Sequence, residues 1–433
     1  MLRAALVIAT LAACHAAPPP DSPDSTAQPA EQEPSPEAKA ASETIVHVFE
    51  LLTSTSVMIG DHTKIAQAGV EGLGFTSPVP WTTDASKDRD LMRGAVRAMA
   101  LHGQLPPGAV LRAARAMALA SGDAQTFAVD RDGLASLYGL IGGVPVMQLG
   151  LVVHQQDDGR WAATASYGAA RAAGVQPGDV IASIDGVTVT HGWRDFAYLL
   201  GKPSSTVAKL AIIRGNATMQ LDARVAAAAG PIVESRVVKG VGYIRIWTCT
   251  HSTDATRDAA ALVGKVIADF DRRRMSKLVI DLRGNAGGFP FDLASLLVDA
   301  DPLLFAVPAE GDPKPIERTK LVASKTKRAI AVLVDEGTAS GAEMLALILR
   351  DHAGAKLVGR ATAGGLTFPT AVQLPGNITL SYPESRVGDK AQAVQDGNRL
   401  QPDVAVPNPS AADYAAGKDA QLDAAMAAVT TAS

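Results

Sequence analysis

The chain has 433 residues, 47% of them hydrophobic, enough to bury a sizeable core across two or three domains. Its 40 Lys and Arg against 44 Asp and Glu leave a formal net charge of -4, which supplies no basic field for nucleic acid. Two cysteines, Cys14 and Cys249, argue against a disulfide framework, eight histidines without HxxxH or HExxH spacing argue against a zinc site, and no cofactor is expected.

Residues 1–13 join Arg3 to a brief apolar run, too short to span a bilayer, and read as a secretory leader. The stretch Leu11-Ala12-Ala13-Cys14 resembles the lipobox of bacterial lipoproteins, with small residues before the cysteine that carries the diacylglycerol. That resemblance implies lipidation at Cys14 and a membrane-anchored body in the bacterial cell envelope, facing the periplasm or the exterior. An ordinary cleaved leader with an incidental cysteine is the alternative. His15, rather than an acidic residue, follows the cysteine and points toward the outer membrane. Residues 15–41, with Pro18, Pro19, Pro20, Pro23, Pro29, Pro34 and Pro36, read as a disordered tether, and no transmembrane helix is expected elsewhere.

Residues 42–142 are predicted to be a helical cap. Apolar residues recur at helical spacing over 91–101, Pro106-Pro107 interrupts the pattern, and 110–120 resume it. Residues 143–225 change to short β-branched runs separated by turns. Within them, residues 169–186 read AARAAGVQPGDVIASIDG and resemble the PDZ signature, with a further helix expected at 193–200. Glycines permit positive-φ turns there, and Asp179 is placed to cap the turn before a buried strand. Such a domain accepts an extended peptide as an added strand, with Leu149, Gly150 and Leu151 as the loop facing its terminal carboxylate. A PDZ-like fold without a peptide-binding role is the alternative.

Residues 231–407 alternate strand and helix, which implies parallel sheet with ligands gathered at the carboxyl ends of strands, and 408–433 form a C-terminal tail and helix. Strands are expected at 241–247, 277–282 and 329–335, with helices at 254–274, 292–298 and 341–351. Two strand-end loops stand out. Arg283-Gly284-Asn285-Ala286-Gly287-Gly288 can bring backbone N–H groups close to a ligand, and Glu336-Gly337-Thr338-Ala339-Ser340-Gly341 sets Ser340 on a sharp turn into a helix. The N–H of Gly341 with one from Gly287 or Gly288 can hold an oxyanion, as acyl transfer requires. A helix N-cap serine is the plainer reading of Ser340 taken alone.

The order of these features resembles the tail-specific (C-terminal-processing) serine protease family, which includes the core domain of tricorn protease. The motifs are V-I-D-L-R-G-N-x-G-G, V-D-x-G-T-A-S-G-A-E and V-G-R-x-T-A-G-G, within a resemblance over about residues 90–407. It implies an α/β fold: a crotonase/ClpP-like βα core, an inserted PDZ-like domain and an N-terminal helical cap. It also implies Ser340 as nucleophile, an oxyanion hole from Gly341 and the Gly287/Gly288 region, and peptides engaged through their C-terminal ends.

A serine needs a base, and the family's two usual bases are missing. Where the Ser/Lys branch keeps its lysine, residues 359–366 read GRATAGGL. Where the tricorn-like branch keeps a histidine, Gln125 stands, and glutamine cannot take a proton near neutral pH. The late acidic residue of that branch corresponds to Asp396, ahead of Pro402-Asp403. His251, past the end of the 241–247 strand, is the substitute base considered, against the plainer reading of a polar loop histidine. Cys249 reads as a packed small residue, and His352 lies too far along its helix. Two functions follow: an extracytoplasmic serine endopeptidase that trims protein C-termini, or a pseudo-peptidase that binds such peptides as an adaptor.

Overall fold

The computed structural model describes residues 35–58, 60–75, 79–102, 105–190, 206–300, 304–308, 310, 312–316, 327–388 and 399–431. Cys14, Asp396 and the helix expected at 193–200 lie outside the described residues.

Helix α1 (Pro36–Glu50) starts where Ser35 Oγ accepts the Ala38 N–H and Pro36 occupies the first turn. Residues 36–41, expected in the tether, are therefore the opening turns of a helix. Ala38, Ala41, Ile45 and Val48 bury one stripe at helical spacing, a periodicity that the neighbouring prolines obscured. Helices α2 (His62–Gly72), α3 (Ala85–His102) and α4 (Ala109–Ala120) complete the bundle, the last two separated across Pro106-Pro107. The cap is not wholly helical. Strand β1 (Phe127–Asp130) follows α4 and leads into α5 (Arg131–Ile141).

Strands β2 (Leu151–Gln155), β3 (Trp161–Ser166), β4 (Val180–Ile184), β5 (Val207–Arg214) and β6 (Ala217–Arg224) pair antiparallel in that order to form a β domain. Its core includes Leu149, Val153, Ile181, Leu210 and Ile212. Asp179 caps its turn as expected, accepting the Gln176 N–H at 2.8 Å, and Arg214 clamps the same carboxylate at 2.7 Å through both oxygens.

The third unit is a sheet in the order β7 (Val233–Val238), β8 (Val241–Ile246), β9 (Lys277–Asp281), β10 (Ala329–Val334), β11 (Lys356–Gly359), then Val404–Ala405. Every pairing from β8 onward is parallel. Alternate residues bury both faces. Ile244, Leu278, Ile280, Val332 and Leu357 share a core with α6 (Ala259–Arg272) and α7 (Gly341–Ala353). Tyr243, Val279, Ala331 and Leu333 lie under Ala425 and Val429 of α8 (Ala420–Thr431). The loops after β9 and β10 thus leave the same carboxyl edge.

Strands β12 (Thr367–Leu374) and β13 (Ile378–Gly388) form a hairpin, and β1 adds to β13 with Phe127 opposite Ser381. The cap's core therefore includes Leu374, Ile378, Leu380 and Tyr382. This pairing brings the turn at 123–126 to the edge where Ser340 sits.

Candidate active site

Ser340 lies between β10 and α7 with φ 53 and ψ -123, a conformation a non-glycine residue adopts at a cost of about 1–3 kcal/mol. The surroundings hold it there. Its N–H donates to Glu343 Oε2 at 2.9 Å, one turn into α7. The same carboxylate accepts the N–H groups of Gly364 (2.9 Å) and Gly365 (2.7 Å) and the Thr362 hydroxyl. Glu343 is fully buried, and that burial pushes its carboxyl up to about 7, against the pull of its four donors.

The glycine-rich loop packs against this turn. Asn285 is buried; its Nδ2 donates to Ile246 O and its carbonyl oxygen accepts the Ala339 N–H, both at 2.9 Å, tying the two loops together. A Cβ on Gly287 would stand 2.7 Å from Ser340 Cβ and 3.0 Å from Gly341 N, so only glycine permits this approach. The N–H of Gly287 is already taken by Asn285 Oδ1 at 2.9 Å. Among the described residues, the N–H groups of Gly288 and Gly341 have no acceptor, and Gly341 N lies at the positive end of α7.

Ser340 opens into a cavity of about 490 Å³. Gly287, Gly288 and Phe289 line it beside the serine, and Leu149, Gly150 and Leu151 of the β domain line it too. The expected carboxylate loop and the expected nucleophile therefore share one chamber. Gln125 also lines it, held by an Asp123 carboxylate that accepts the N–H groups of Gln125 (2.8 Å) and Thr126 (2.9 Å).

His251 is not brought to Ser340. Thr248 and Thr250 line the cavity, whereas Cys249 turns into the core and His251 turns out to solvent, as alternation along an extended segment dictates. The His251 side chain is 61% exposed, with Nδ1 3.6 Å from Asp258 and 3.7 Å from Asp292. Cys249 is the packed residue expected, its thiol pushed up to about 12 by burial. His352 is exposed near the far end of α7. Among the described residues, no histidine or lysine is hydrogen-bonded to Ser340 Oγ.

One buried pair escaped sequence reasoning. His154, on β2, places Nε2 2.5 Å from Asp335 Oδ2, and its Nδ1 lies 2.5 Å from the Tyr414 hydroxyl. Asp335 Oδ1 accepts the N–H groups of Gly284 (2.9 Å) and Gly337 (3.0 Å), at the roots of both site loops. Burial alone would raise the Asp335 carboxyl, but the imidazole and these donors hold it below the ordinary carboxylate range. Asp335 stands in the V-D-x-G-T-A-S motif; its partner, 181 residues away, has no sequence signal.

Residues 240–406 match the model of peptidase family S41. The chain is 29% identical over 254 residues to carboxyl-terminal-processing peptidase 2, chloroplastic, of Arabidopsis thaliana, covering 55% of this chain and 48% of that one. It is 28% identical over 275 residues to the carboxyl-terminal-processing protease of Synechocystis, covering 60% and 62%. The carboxy-terminal processing protease CtpB of Bacillus subtilis is 30% identical over 217 residues, covering 47% and 43%. The chain thus spans about half the length of the relatives it matches. Among solved structures, the photosystem II D1 C-terminal processing protease superposes with a TM-score of 0.54 at 20% identity, covering 85% of this chain and 93% of that one. Mature CPAF gives 0.52 at 16% identity, covering 88% and 97%. At these identities the likeness concerns the mixed α/β fold.

Proposed function

We propose that the protein is a serine endopeptidase that cleaves polypeptides near their C-termini, because residues 240–406 match the model of peptidase family S41. The observation that carries this reading is the shared cavity, lined by both Ser340 and the Leu149–Gly150–Leu151 loop. The β domain is read as PDZ-like and the sheet unit as a crotonase/ClpP-like core. An extended peptide adds to the β domain, and Ser340 Oγ attacks the scissile carbonyl carbon while the N–H groups of Gly288 and Gly341 hold the oxyanion. The C–N bond breaks, the proton given up by Oγ ends on the leaving amine, and water then hydrolyses the acyl-serine and returns a proton to Oγ. The leader and lipobox support an extracytoplasmic protein held to the membrane through Cys14.

One observation favours a second reading. The described residues offer the Oγ proton no histidine or lysine, which fits a pseudo-peptidase that binds C-terminal segments without turning them over. Full-length protein and Ser340→Ala, incubated with peptides bearing apolar C-termini and followed by mass spectrometry, separate the two. Cleavage lost in Ser340→Ala supports the endopeptidase; saturable binding without products supports the adaptor.

A further inference from the structure

We propose that Arg257 is the carboxylate receptor of the catalytic cavity and confines this chain to ligands with a free C-terminus bound in the same chamber as Ser340. This deepens the peptide-binding reading and rests on it.

Among the described residues, Arg257 is the one charged side chain lining the cavity, whose other walls include Leu134, Leu137, Val144 and Trp247. Its Nε donates to Gly143 O at 2.5 Å, which orients the guanidinium and leaves both terminal nitrogens without a hydrogen-bond acceptor among the described residues. The acidic residues nearest in sequence are engaged elsewhere. Asp258 accepts the N–H groups of Ala261 (2.7 Å) and Ser252 (3.1 Å); exposed Asp254 accepts the Thr256 N–H (2.8 Å) and hydroxyl (2.7 Å) and feels the charge of Arg257 without a hydrogen bond to it.

A half-buried guanidinium against apolar walls, with no carboxylate hydrogen-bonded to it among the described residues, lacks the hydrogen bonds it would have in water or in a close ion pair. A carboxylate supplies them together with a countercharge, and matches the planar fork with two parallel bonds. The N–H groups of the Leu149–Leu151 loop are neutral donors and cannot supply the charge. With the receptor and Ser340 in one cavity of about 490 Å³, the tail between carboxylate and serine is a few residues of extended chain. Leu134 and Leu137, three apart on α5, and Val144, next to the carbonyl that orients Arg257, favour apolar side chains at its end.

The test uses the full chain carrying Ser340→Ala and fluorescence anisotropy with a fluorescein-labelled hexapeptide of apolar C-terminal sequence, as free acid and as C-terminal amide. The acid is expected to bind at least about tenfold tighter, as a charge-assisted bond implies. Adding Arg257→Gln should bring the acid down to the amide's affinity and leave the amide unchanged. Adding Arg257→Lys, which keeps the charge but not the fork, should lower the ratio about threefold or more. A ratio unchanged in both variants overturns the proposal and moves the carboxylate elsewhere. If the glutamine variant does not fold by circular dichroism, an unchanged ratio in the lysine variant suffices. Equal binding of acid and amide by the parent removes the receptor while leaving peptide binding intact; binding of neither removes both.

Discussion

Gln125 Nε2 donates to the carbonyl of Gly365 at 3.0 Å, so the two segments in which relatives of different branches would carry a base touch each other. A Cβ on Gly365 would stand 3.1 Å from Gln125 Nε2 and 3.1 Å from Ser340 N. Both stand beside the serine, and neither can accept its proton.

Gln125→His is therefore expected to raise kcat/KM for peptide hydrolysis by about 10²-fold, the lower range for a positioned base. Steady-state kinetics on the purified variant measure it. An unchanged rate in a folded variant contradicts the assignment of position 125 to the base.

Glu343 gives a pH signature. Its folded carboxyl sits near 7, above its ordinary value of 4.5, so the folded state binds this proton more tightly than the unfolded state. The contribution is present in full below 4.5 and is lost as pH rises through 7, by at most about 1.4 kcal/mol per pH unit. Urea denaturation from pH 4.5 to 7.5 should show stability falling over that window. Glu343→Gln should remove that component of the slope. It should also cost about 2–4 kcal/mol, because an amide nitrogen replaces an oxygen that accepts buried N–H groups. A slope unaltered in the variant assigns the pH dependence to other groups.

His154→Ala leaves the buried Asp335 carboxylate without its imidazole and is expected to destabilise the fold by about 3–5 kcal/mol at neutral pH. The Asp335 carboxyl is held low, so its contribution is present above 3.8 and is lost as pH falls through the folded value. Hydrogen exchange should report faster opening at Gly284, Gly337 and the β2 strand together. Faster exchange confined to β2 would show that the pair does not brace the two loops.

Gly287→Ala puts a Cβ 2.7 Å from Ser340 Cβ, on a residue with φ 111. Peptide cleavage should be lost while the free energy of unfolding falls by no more than about 1–3 kcal/mol. Retained cleavage would show that the loop can give way, and that the close approach is not what holds the serine.

The sheet unit was legible because its strands are short β-branched runs and its loops are glycine-rich, both local signals. Ser340, Gly341 and Gly288 stand where those signals placed them, and the Leu149–Leu151 loop does line the serine's cavity. What was not legible depends on contacts between distant residues. The 123–126 turn reaches the site only because β1 pairs with β13, and Gln125 and Gly365 are 240 residues apart. His251 missed the site through one step of side-chain alternation after Thr250. The N–H of Gly287, one of the expected oxyanion donors, instead donates to Asn285 Oδ1, a local bond that a motif cannot disclose.

The most direct measurement is labelling of the full-length protein by a fluorophosphonate probe from pH 5 to 9, read by intact mass and compared with Ser340→Ala. One adduct on the wild-type chain, absent from the variant and formed faster in Gln125→His, is the expected result. No adduct at any pH on the wild type or on Gln125→His, with both chains folded, would contradict Ser340 as a nucleophile.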